Sequence, residues 1–192
     1  MKWIVGTLAV VLTILVIYAG SALVSVLGLV SAVRNGDVSQ IMTRTDLPRV
    51  RHSIVDQLMT AYLERLGQKR PLRPIERMAI TSLGTTIADD FATKLITPEN
   101  LSVLLGSGIV RNAAENISFG TMSSLADLDA SNVVVLLGRI NPVKPVEFTL
   151  GFGRGENAGS ISMHFAGAGW KLSGVGLPRR IVATMVDRLP TH

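Results

Sequence analysis

Residues 3–33 read WIVGTLAVVLTILVIYAGSALVSVLGLVSAV, an apolar run without charge between Lys2 and Arg34. A helix rises about 1.5 Å per residue, so this run, as a helix, outreaches a hydrocarbon core of about 30 Å. The chain is therefore expected to be held in a membrane or sent through one. Two fates divide at Tyr18-Ala19-Gly20-Ser21-Ala22. A short basic start, the apolar stretch to Ile17 and the small residues Gly20 and Ala22 fit a secretory signal with a small-x-small cleavage site. Against cleavage, Leu23, Val24, Val26, Leu27, Leu29 and Val30 carry the apolar character past Ala22. The expectation is an uncleaved anchor that spans from Trp3 to about Leu23 through Leu8, Leu12, Leu15 and Tyr18, its helix running on to about Val33. Trp3 and Tyr18 suit interfacial positions, although Tyr18 comes early enough to lie inside the span.

Within the run, Ser21, Ser25, Gly28 and Ala32 fall on one helical face, and such small residues let another helix approach closely in lipid. The alternative is that this face packs on the chain's own body. Orientation divides in the same way. Arg34, Arg44, Arg49 and Arg51 after the run outnumber Lys2 before it, which by positive charge alone keeps the body in the cytoplasm. A short basic start ahead of a long apolar segment also describes an anchor that exports the rest of the chain. The absence of cysteine permits the periplasm and requires neither compartment.

The expected division is a membrane anchor or signal segment at residues 1–33 and a single soluble α+β domain at residues 34–192. The net charge is +5, but the basic residues are scattered and aromatic residues scarce, so no nucleic-acid surface is expected. Gly36 and Asp37 punctuate the end of the first helix, and Asp46-Leu47-Pro48 starts another. From there Val50, Ile54, Leu58, Tyr62 and Leu66 recur every four residues, an amphipathic helix ending at Gly67. After a polar linker, Pro74 opens a helix with Ile75, Met78, Leu83, Ile87, Phe91 and Leu95 on its apolar face and Gly84 as a weak point. Thr97-Pro98-Glu99 caps a short helix carrying Leu101, Leu104 and Leu105 to Gly106. Beyond Ser131, the segments 132–140, 146–152, 160–166 and 169–175 read as three or four short antiparallel strands, since their connections are too short for crossover helices. Leu177-Pro178 opens a last helix with an apolar stripe of Ile181, Val182, Met185, Val186 and Leu189. The fold class is α+β: an N-terminal transmembrane helix, then helices packed on a three- to four-stranded meander, and a C-terminal helix.

Asp46-Leu47-Pro48-Arg49-Val50-Arg51 with Gln57-Leu58, then Thr97-Pro98-Glu99-Asn100-Leu101 with Leu104-Leu105, and finally residues 170–178, Trp170 to Pro178, carry a resemblance. From about Val33 to Pro178 the chain resembles the bacterial family called domain of unknown function 2939. That resemblance implies a protein that begins with an apolar signal or anchor, and it is the main reason to expect export. It supplies no activity and no catalytic residues. The helix-then-meander order is also similar to the cone-shaped nuclear transport factor 2-like folds, an analogy of fold alone.

Chemistry is sparse. His52, His164 and His192 stand at no recognised metal spacing, and with no cysteine present no metal and no cofactor is expected. Asp89-Asp90 point about 100° apart on a helix and read as a solvated face. Gly151-Phe152-Gly153-Arg154-Gly155 leads into a strand and lacks the lysine and serine of a P-loop, so it reads as a hairpin connection. Lys69, Arg70, Arg73 and Arg77 surround the linker between the two long helices; they either meet lipid head groups or form a solvated linker. The expected function is a membrane-anchored accessory domain of the bacterial envelope, on the periplasmic side of the inner membrane, binding a membrane or envelope protein and catalysing nothing. Alternatives are a small-ligand or lipid carrier, or less readily an enzyme, with a cavity between sheet and helices, and a body that is cytoplasmic or secreted after cleavage.

Overall fold

The apolar run and the residues flanking it form one unbroken helix, α1 (Lys2–Arg34), of 33 residues. The computed structural model describes residues 2–69, 73–112, 116–129, 132–167 and 169–188. A Schellman turn stops α1. Gly36 takes φ +63°, its N–H donates to Val33 O (3.1 Å), and the Asp37 N–H donates to Ala32 O (3.0 Å). Asp37 then caps α2 (Val38–Thr43), its carboxylate accepting from Gln40 N at 2.9 Å. Next come the long helices α3 (Leu47–Lys69) and α4 (Pro74–Leu95), then α5 (Pro98–Ser107), capped by Thr97, which accepts from Asn100 N. Gly108 ends α5 at φ +70°, and a Cβ there would lie 2.0 Å from Met122 O, so only glycine fits.

The stretch after α5, for which the sequence predicts no strand, holds a hairpin of β1 (Ile109–Asn112) and β2 (Ile117–Thr121), antiparallel and bulged between Val110 and Arg111. A correction applies to residues 132–140. They form a helix, α6 (Val133–Gly138), capped by Asn132 Oδ1 accepting from Val135 N at 3.1 Å. A Val/Leu run satisfies helix and strand alike, and the cap decides between them. The meander comprises β3 (Ile140–Lys144), β4 (Glu147–Phe152), β5 (Gly159–Phe165) and β6 (Trp170–Gly176), adjacent in chain order and antiparallel. The last helix is α7 (Arg179–Val186). The fold class is α+β, with an apolar N-terminal helix, further helices, a four-stranded antiparallel sheet and a C-terminal helix.

Both edges of the sheet are managed. On β6, the segment before α3 adds a short parallel bridge, Thr45 to Leu172. The Asp46 N–H donates to Leu172 O and the Leu172 N–H donates to Arg44 O, each at 2.8 Å. Farther along, Val175 N donates to Ser53 Oγ (3.3 Å), and Gln57 accepts from Leu177 N (2.9 Å) while donating to Val175 O (2.8 Å). Side chains of α3 thus complete the hydrogen bonding that an edge strand leaves open. The other edge, β3, carries Pro142, which has no N–H to offer a further strand.

Core packing confirms part of the periodicity reading and corrects another. On α3, Val50, Ile54 and Leu58 are fully buried, while Tyr62 and Leu66 are only half-buried. On α4 the buried residues are Ala88, Ala92 and Leu95, with Phe91 half-buried; Ile75 and Met78 are about three-quarters exposed and Ile87 is also exposed. The expected apolar face of α4 is therefore covered only over its last turns. The Leu83 side chain lies outside the described residues. Gly84 has a packing reason, since a Cβ there would meet Met59 Cε at 2.8 Å. Trp170 is buried, at the end of β6 away from the last helix. Its ring meets Tyr18 (4.9 Å), Phe148 (4.8 Å) and Phe165 (5.6 Å) edge-on, and its Nε1 donates to Ser21 Oγ at 3.1 Å. The stripe of α7, Ile181, Val182, Met185 and Val186, packs instead at the other end of β6, where α7 meets α3 and β2; Leu189 lies outside the described residues.

Two substitutions test these closures in the full chain. Gln57→Leu strips both partners from the end of β6 and should cost about 1–3 kcal/mol, read as a lower urea midpoint with an unchanged slope. Trp170→Ala empties the aromatic cluster and should cost about 3–5 kcal/mol; an unchanged midpoint would show that the cluster is not a core.

Candidate functional site

The residues that set α1 in the body lie at one end of the sheet. Tyr18 donates its hydroxyl to Pro145 O in the turn between β3 and β4, and Ser21 donates to Tyr18 O at 2.8 Å while accepting from Trp170. From Ala22 onward the helix enters the core: Ala22, Val26, Leu29, Val30, Ala32 and Val33 are all at most 6% exposed. At its end Arg34 donates to Ala126 O (2.8 Å) and Leu128 O (2.7 Å), fastening the loop after β2. The small-residue face points largely at this body. Ser21 holds Trp170, Ser25 is half-buried, Ala32 is buried, and a Cβ on Gly28 would lie 2.7 Å from the Arg44 guanidinium.

Before Tyr18 the helix is different. Val10, Val16 and Ile17 are 59–70% exposed. Trp3, Leu8, Leu12 and Leu15 lie on this helical segment, with side chains outside the described residues. The span Val16–Arg34 is long and apolar enough to cross a membrane, yet a third of it is buried inside the protein. One apolar helix is thus shared between a projecting half and a half built into the core.

The cations of the α3–α4 linker stand elsewhere. Arg73 and Arg77 are exposed at the start of α4, where the Arg73 N–H donates to Glu76 Oε2 at 3.1 Å. The Lys69 side chain and Arg70 lie outside the described residues. Along α3, Asp46 bonds Leu172, Ser53 bonds Val175, and Gln57 bonds Val175 and Leu177. So α3 runs with β6 away from Trp170 and Tyr18. Lys69 is roughly 33 Å along the helix from Leu47. The end of α3 is therefore remote from the point where α1 leaves the body.

Other polar groups have structural partners. Asp46 accepts from Arg49 N and faces Arg49 Nε at 3.3 Å and His164 Nε2 at 3.6 Å. His52 faces Asp56 at 3.6 Å on exposed helix surface, Asp90 pairs with Lys94 at 2.8 Å, and His192 lies outside the described residues. Among the described residues, no group of three or more His, Cys, Asp or Glu could hold a metal ion. The glycine-rich segment after β4 is a connection into β5, as expected.

The inward face of the sheet is filled by Phe148, Leu150, Phe152, Ile161, Met163 and Leu172, each at most 4% exposed. Two of the open grooves among the described residues lie beside α7 and beside α1. The larger, about 720 Å³, runs between α3 and α7 and includes Asp56, Glu64 and the paired Arg65 and Asp187. The smaller, about 390 Å³, lies between Tyr18, Ala19 and Ala22 of α1 and the apolar β3 edge at Ile140, Pro142 and Val143. Sequence reasoning missed this second groove. Pro142 and Pro145 around Lys144 mark an edge hairpin, but nothing in the order of residues places it beside α1.

No curated protein and no solved structure matches the chain. The family described as Protein of unknown function (DUF2939) matches residues 11–104, from inside α1 to within α5. The match includes the motifs at Asp46 and Thr97 and stops short of the one at Trp170. Its start inside the apolar helix makes that helix part of the family's own pattern. Over residues 11–104, just under half of its length, the chain matches the family described as Protein of unknown function (DUF2939).

Proposed function

We propose that the chain is a single-pass, membrane-anchored accessory domain of the bacterial envelope, with its body on the periplasmic side of the inner membrane, that binds a protein partner and does no chemistry of its own. The observation that carries this reading is the continuity of α1. Its projecting half is apolar, and its other half is core. Cleavage after Ala22 would remove Tyr18 and Ser21, the partners of Pro145 and Trp170, and would open the aromatic cluster to water. Retention of the helix is therefore a folding requirement as well as an address. The export half of the proposal leans on the family resemblance and on a cysteine-free chain, which is compatible with an oxidising compartment.

A protein partner is favoured over a carried ligand because the inward face of the sheet is filled while apolar side chains stand exposed far from the anchor. Ile75 and Met78, three residues apart on α4, are 75% and 73% exposed. Exposed apolar residues of this kind mark contact sites when they group together.

Mass spectrometry of the purified protein should find the first 22 residues in place; an N-terminus at Leu23 means a cleaved signal and overturns the anchor. Protease added to spheroplasts should digest the body, whereas full protection places it in the cytoplasm. Co-purification in mild detergent should retain a partner that the double variant Ile75→Asp, Met78→Asp loses without a fall in melting temperature; retention by that variant moves the contact elsewhere.

A further inference from the structure

The apolar part of α1 that stands clear of the body, bounded by the charge of Lys2 at one end and by Tyr18 at the other, is shorter than the core of a bilayer. From Lys2 to Ile17 the helix extends roughly 24 Å, against a hydrocarbon core of about 30 Å. Tilt shortens its reach further. From Tyr18 the helix is fastened to the β3–β4 turn and to Trp170. A spanning helix must therefore bring Tyr18 to about Leu23 to the depth of the bilayer, together with whatever is packed beside them.

Packed beside them is an exposed apolar rim. The β3–β4 hairpin carries Val143 and Val146, 55% and 52% exposed, each following an exposed proline, Pro142 and Pro145. Phe165 is 40% exposed, and its N–H donates to Val146 O at 2.9 Å, which fixes the two hairpin ends side by side. Leu137, 45% exposed, stands across the smaller groove from Tyr18. Lys144 is paired with Glu147 at 3.3 Å and keeps a mostly exposed side chain, whose stem can lie along apolar surface while its ammonium reaches water.

We propose that this rim is a membrane-docking surface: Pro142, Val143, Pro145, Val146 and Phe165 enter the boundary between head groups and acyl chains around the exit of α1. The occupant of the surface is the lipid bilayer, and two observations point to it: the anchor emerges from the rim, and its free length falls short. The inference rests on α1 being an anchor and goes beyond it, because an anchored body need not touch the membrane. It fixes the orientation of the body, with the end of sheet and α3 that carries Gln57 and Leu177 turned away from the lipid.

The chain has no cysteine, so single-cysteine variants can carry one polarity-sensitive fluorophore each without background. Full-length Val146→Cys, Phe165→Cys, Val10→Cys and Arg154→Cys are labelled and reconstituted in vesicles of phosphatidylethanolamine and phosphatidylglycerol, with or without quencher-bearing acyl chains. Arg154 sits in the turn at the opposite end of the sheet. The expected result is blue-shifted, lipid-quenched emission at residues 146, 165 and 10, and water-like, unquenched emission at residue 154. Quenching at residue 10 without quenching at 146 and 165 overturns the docking surface and leaves the anchor standing. No quenching at residue 10 removes the anchor, and the docking surface with it. A circular-dichroism melt of each labelled protein confirms that it is folded as the parent is, and the hairpin is probed at Val143→Cys if a variant at 146 is not.

Discussion

A sheet has two edges, and the arrangement of this body depends on how the β6 edge is closed. Leu172 and Val175 would otherwise present unpaired backbone groups. They are answered by the backbone of Arg44 and Asp46 and by the side chains of Ser53 and Gln57. This forces α3 to run alongside β6, and with it fixes the direction of the α3–α4 pair. The requirement also explains why Asp46-Leu47-Pro48 begins α3 where it does. Asp46 donates its backbone N–H to the strand, and its carboxylate accepts from Arg49 N at the first turn of the helix, so one residue ends the strand contact and opens the helix.

The second constraint is the double environment of α1. It touches α2, α5 and β6, and its Arg34 holds the loop after the small hairpin. Removing the chain's first 22 residues as a leader would take Ala22 from the core together with Tyr18 and Ser21, the partners of Pro145 and Trp170. Helix and body are thereby coupled mechanically: Tyr18, Ser21 and Trp170 form a joint rather than a flexible tether. A domain held in this way has a defined attitude relative to its helix, which suits a part that presents a surface to a neighbour at fixed height and orientation.

Much of the fold is legible in the order of residues. The four-residue recurrence along α3, the caps at Asp37 and Thr97 and the alternation of β4 and β5 depend on neighbours in sequence. The β1–β2 hairpin escapes because its strands have four and five residues and a bulge that breaks alternation. Residues 132–140 escape because Val and Leu in a row fit either period, and the opening turns of α4 because apolar spacing says nothing about whether a neighbour reaches them. The exit rim is invisible for a related reason: Tyr18 and Pro145 are 127 residues apart, and only strand order brings them together.

The sequence by itself determined that a long apolar helix opens the chain, that helices precede a meander, and that no familiar catalytic arrangement is written in it. Only the tertiary structure decided where the apolar helix stops being available to lipid and becomes core. Leaving water is favourable for a valine or leucine whether the surroundings are acyl chains or other side chains. The residues of α1 therefore state that they must be covered, and the packing of Trp170, Pro145 and Arg44 against them states by what.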